Sequence, residues 1–141
     1  MAWRHASSFR ARNTPWAPSG CRRSGPSTDA TREAVRQAFV DSLRGKIGNR
    51  SMGVYAVNYP ASYDFLAAAD GANDASAFIQ NVINTCPDTR LVVGGYSQGA
   101  AIIDVITSVP FPAVGFDNPL PANAPDHIAA LAVFGNPTAR V

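Results

Sequence analysis

The amino-acid sequence predicts an α/β fold built on a parallel sheet, and two observations carry that expectation. Strand-like and helical hydrophobic patterns alternate from Asp29 to Phe134, the order expected when helices cross over between parallel strands. In the middle of that alternation the apolar run Leu91-Val92-Val93 leads straight into Gly95-Tyr96-Ser97-Gln98-Gly99 and a new helical pattern. That is the strand–turn–helix context of an exposed serine at the carboxyl end of a strand.

The elements follow in order. Residues 1–28 read as an irregular, basic arm, because Pro15, Pro18, Gly20, Gly25 and Pro26 punctuate a polar stretch without a period. From Asp29, a candidate cap, the positions Val35, Phe39, Val40, Leu43 and Ile47 keep helical spacing until Gly45 or Gly48. Met52 to Val57 is a short apolar run closed by Asn58-Tyr59-Pro60 and reads as a buried strand. Asp70 to Thr85 returns to helical spacing through Ala75, Phe78, Ile79, Val82 and Ile83. Leu91 to Gly94 is the strand that enters the turn, and Gln98 to Val109 is the helix that leaves it. Pro110 to Pro125 is a loop, and Ile128 to Phe134 is a third strand ending at Gly135-Asn136-Pro137. Helix, strand, helix, strand, helix, strand gives one domain over 29–141, with helices on both faces of its sheet. Its site belongs outside the carboxyl ends of the strands.

The turn has a chemical logic. Passing from strand to helix within a few residues strains the backbone at the serine. Gly95 and Gly99 lack a Cβ, so the two elements can close around Ser97. The Gln98 N–H and the helix dipole then face any negative charge that develops beside the Ser97 hydroxyl. Gly-x-Ser-x-Gly alone is a weak signal; the flanking strand and helix make it specific.

Composition narrows the classes. With 141 residues and 46% hydrophobic content the chain can bury a sizeable core. No run reaches the roughly 18 apolar residues of a membrane span, and no apolar segment of a signal peptide follows the basic start. Residues 1–50 hold ten Lys/Arg against Asp29, Glu33 and Asp41, whereas 51–141 hold Arg90 and Arg140 against seven Asp. The basic residues are scattered among Ser, Pro and Gly without a recognition motif, so no nucleic-acid partner is expected. Cys21 and Cys86, the two cysteines, have no metal-site spacing. They are either one disulfide or two unrelated thiols.

Four segments together resemble the cutinase family, most closely its secreted actinobacterial members. They are Val54-Tyr55-Ala56-Val57-Asn58-Tyr59-Pro60-Ala61, Asn84-Thr85-Cys86-Pro87, Gly94-Gly95-Tyr96-Ser97-Gln98-Gly99-Ala100 and Val133-Phe134-Gly135-Asn136-Pro137. The resemblance runs from Gln37 to Arg140. It implies a three-layer α/β/α sandwich of the α/β-hydrolase type without a lid, and an esterase acting on cutin-like polyesters, lipids or short acyl esters. It further implies no cofactor, a monomer, secretion and no stable membrane insertion. By that resemblance Ser97 matches the nucleophile, Gln98 an oxyanion-hole donor, and Cys21 with Cys86 the first disulfide.

The departures shape the expectation as much. The family's first strand follows its first cysteine, whereas Cys21 precedes Arg22-Arg23-Ser24-Gly25-Pro26-Ser27-Thr28-Asp29, which cannot form a buried central strand. The sheet is therefore expected to be incomplete in its middle. A serine esterase also needs a histidine base and an acid to orient it. The family's pair lies beyond the strand that ends near Phe134, and this chain stops at Val141. His127 precedes that strand, so seven residues at about 3.3 Å each hold it roughly 20 Å from Ser97. His5 lies in the irregular arm, and Asp117 and Asp126 suit loop turns. Tyr55, Tyr59, Tyr63 and Phe65 suit either an acyl groove or half-buried packing. Two functions follow: a serine carboxylic-ester hydrolase by family resemblance, with little or no triad-based turnover expected of this chain, or an inactive remnant that binds lipid or partner proteins.

Overall fold

The structure is a computed structural model that describes residues 5–10, 30–59, 65–109 and 115–138. Its elements are β1 (His5–Arg10), α1 (Ala30–Lys46), β2 (Met52–Tyr55), α2 (Phe65–Thr85), β3 (Thr89–Tyr96), α3 (Gln98–Ser108), α4 (Ala124–His127) and β4 (Ile128–Phe134). The strands form one sheet in the order β2-β1-β3-β4. β3 and β4 are parallel, and β1 runs antiparallel to both β2 and β3, so β2, β3 and β4 share one direction. The expected α/β class and its parallel strands are present.

β1 corrects the irregular reading of 1–28. Ser7 stands opposite Val54 on one side and Val92 on the other, so this segment occupies the middle of the sheet. His-Ala-Ser-Ser-Phe-Arg has no alternating hydrophobic pattern, which is why sequence periodicity does not reveal it. What selects it is long-range: β2 and β3 each present an unpaired row of backbone donors and acceptors, and a proline-free stretch can satisfy both. The Arg-rich stretch after Cys21 lies outside the described residues.

The strand order also decides where the crossover helices lie. α2 links β2 to β3 and α3 links β3 to β4, and both steps move the same way across the sheet. Right-handed crossovers that progress in one direction place their helices on one face, so α2 and α3 pack together rather than on opposite faces. Between them and the sheet lies the core: Phe78, Ile79 and Val82 of α2, Leu91 and Val93 of β3, Ile102, Ile103 and Ile106 of α3, and Phe116. Ile79, Leu91 and Val93 are fully buried. Each aliphatic side chain of this kind contributes about 1.5–3 kcal/mol. Val40 of α1 is buried apart from this cluster.

A polar seam on α2 holds the segment after α3. Asn73 donates from its side-chain nitrogen to the Gly115 carbonyl at 2.8 Å and accepts the Asp117 N–H at 3.0 Å. Ser76 donates to the Asn118 carbonyl, and Gln80 donates to Asn118 Oδ1 at 2.8 Å and to the Pro119 carbonyl at 3.0 Å. These three residues share one side of α2 by their spacing of three and four. The segment read as loop ends in the single turn α4, which Pro125 opens.

Candidate active site

Ser97 sits between the last residue of β3 and the first of α3, with φ 54° and ψ −120°. Among the described residues it is the one non-glycine with positive φ. Such a conformation costs about 1–3 kcal/mol and persists only where the surroundings enforce it. Three bonds enforce it. The Ser97 N–H donates to the Phe134 carbonyl of β4 at 2.9 Å. The Ser97 carbonyl accepts from the N–H groups of Ala100 at 2.9 Å and Ala101 at 3.2 Å, which starts α3. The Ser97 side chain makes no capping bond to the helix it precedes, so its hydroxyl is not committed to the helix end.

Gly95 makes the turn possible by close approach. A Cβ added there would lie 2.6 Å from the Ala100 nitrogen and nearer still to the Gly99 carbonyl group. Strand and helix therefore touch through backbone, and the serine is lifted onto the carboxyl end of β3 at the positive end of α3.

The surroundings are apolar on one side and hydrogen-bonded on the other. Tyr96 is 38% exposed and its register partner Phe134 is 47% exposed. After Phe134 the chain turns at Gly135, whose φ is 57°. Asn136 fixes that turn: its Oδ1 accepts from the Thr138 N–H at 3.0 Å and hydroxyl at 2.8 Å. Its side-chain nitrogen donates to Asp104 of α3 at 3.4 Å.

The other candidates fall elsewhere. His127 closes α4 at the amino end of β4, and β4 lies parallel to β3 with Ile128 opposite Leu91 and Phe134 opposite Tyr96. It is therefore a strand length away from Ser97, as its sequence position predicts. Its Nδ1 is buried with no hydrogen-bond partner among the described residues. Asp126 belongs to α4, and Arg90 donates to its carbonyl; Asp117 lies in the segment held by Asn73. His5 opens β1 opposite Gly94, so its backbone stands at the Ser97 end of the sheet. Cys86 is buried just after α2, and Cys21 lies outside the described residues.

The aromatic set divides. Tyr59 is buried in the core, and Tyr55 stacks on Phe78 with ring centroids 3.8 Å apart. Tyr63 lies outside the described residues. Asp74, which sequence patterns do not single out, accepts the Tyr55 hydroxyl at 2.9 Å and the Asn58 N–H at 2.8 Å. It pins the segment that leaves β2 on the same side of the sheet as Ser97. An apolar groove of about 560 Å³ lies at the far end of α3, lined by Ile106, Val109, Leu120, Ile128 and Leu131 among others. It is at the opposite end of β4 from Ser97. No group of three metal-ligating side chains occurs among the described residues, and no described helix is long and apolar enough to cross a membrane.

The chain is 63% identical over 106 residues to phospholipase Culp4 of Mycobacterium tuberculosis (strain ATCC 25618 / H37Rv), which is 75% of this chain and 46% of that protein. It is 54% identical over 106 residues to the probable carboxylesterase Culp3 of Mycobacterium tuberculosis (strain CDC 1551 / Oshkosh), covering 75% of this chain and 40% of the relative. It is 54% identical over 105 residues to carboxylesterase Culp1 of Mycobacterium bovis (strain ATCC BAA-935 / AF2122/97), covering 74% and 44%. The chain thus spans less than half the length of these curated relatives. No solved structure matches it. The cutinase family profile matches residues 21–141, a span that holds the Ser97 turn and the three strands β2, β3 and β4, and the chain belongs to the cutinase family.

Proposed function

We propose that this chain carries the nucleophilic centre of a serine carboxylic-ester hydrolase. The observation that carries the reading is the Ser97 backbone, held at positive φ on a strand end with its hydroxyl free of the helix cap. The reaction is acyl transfer: Ser97 Oγ attacks the ester carbonyl, the oxyanion forms beside the Gln98 N–H, the alcohol leaves, and water later releases the acid. Relatives named carboxylesterase and phospholipase support acyl esters and lipids as the substrate class. Secretion and a Cys21–Cys86 disulfide belong to the same reading.

A second reading, an inactive remnant, rests on one observation. His127 stands at the amino end of β4, a strand length from Ser97 at the carboxyl end of β3. Without a base, acylation is slow and turnover slower. The test is incubation of the purified chain with a p-nitrophenyl ester, with intact-mass detection of the adduct and peptide mapping. A slow, stoichiometric acyl adduct on Ser97, lost in Ser97→Ala, is expected. Adducts elsewhere, or an unchanged rate in Ser97→Ala, would refute the assignment.

A further inference from the structure

We draw no further inference here: the strongest candidate, the apolar groove of about 560 Å³ between the far end of α3, α4 and β4, is lined by Ile106, Leu120, Ile128 and Leu131, and nothing in the structure shows what covers it.

Discussion

Gly95→Ala isolates the contact on which the Ser97 geometry depends. The added methyl would lie 2.6 Å from the Ala100 nitrogen and nearer still to the Gly99 carbonyl, whereas ordinary contact begins at 3.4 Å. Both neighbours are backbone at the start of α3, so no side chain can swing aside. The first turn of α3 must move away from β3 by roughly 1 Å, and overpacking of this kind costs about 1–3 kcal/mol. The same movement pulls Ser97 from its 2.9 Å bond to Phe134, which adds about 1 kcal/mol. A loss of about 2–4 kcal/mol follows, together with loss of acylation at Ser97. The assay is urea unfolding monitored by circular dichroism, with Gly45→Ala as the companion variant. Gly45 lies in the last turn of α1 with nothing within 4 Å of its added methyl, so that change should be neutral or stabilise by up to about 1 kcal/mol. Equal midpoints for the two variants would refute the idea that strand and helix are locked through Gly95.

Two further outcomes follow from named contacts. Ser97→Gly releases the strain at φ 54° but adds freedom to the unfolded chain, so it should raise stability by about 1 kcal/mol, while Ser97→Ala should not; equal unfolding midpoints for both would show that the turn is unstrained. Asp74→Ala strips the acceptor from the Tyr55 hydroxyl and the Asn58 N–H, and the cost should be about 2–3 kcal/mol in thermal unfolding, with Asp74→Asn recovering part of it; a loss under about 0.5 kcal/mol would mean that solvent replaces the carboxylate.

The sequence foretells what local chemistry dictates and misses what distance dictates. The Ser97 turn is legible because strand run, glycines, serine and helix pattern are contiguous, and each restricts the backbone of the next. β4 is legible for the same reason: Ile128 to Phe134 is an unbroken apolar run between turn formers. β1 is not, because Ala6-Ser7-Ser8 carries no preference of its own and gains a partner only when β2 and β3 are already side by side. The placement of α2 and α3 on one face is likewise a consequence of strand order, which spacing along the chain does not encode. Asn73, Ser76 and Gln80 are an intermediate case. Their polar stripe on an otherwise apolar helix is visible in the sequence, but that it binds 115–119 depends on where that segment returns. Tyr59 could have lined a groove or filled the core; only packing decides for the core.

The Ser97 centre separates into a part the fold supplies and a part it leaves to other groups. Everything that shapes the turn comes from β3, α3 and the end of β4: Gly95 against Gly99, the Ser97 N–H on Phe134, and Asn136 tying the following turn to Asp104. None of these contacts involves β1 or β2, although β1 pairs along β3 as far as Gly94, one residue before Gly95. Proton transfer has the opposite character. It needs a group within hydrogen-bond reach of Oγ, and β3 and β4 alone bring none: His127 is carried to their amino ends by the same parallel register that brings Phe134 to Ser97. Histidine placement is therefore a property of the segments that surround the strand ends, where His5 of β1 lies opposite Gly94. The strained turn at Ser97 is built from contiguous residues, whereas any group placed to take its proton has to be held there by long-range topology.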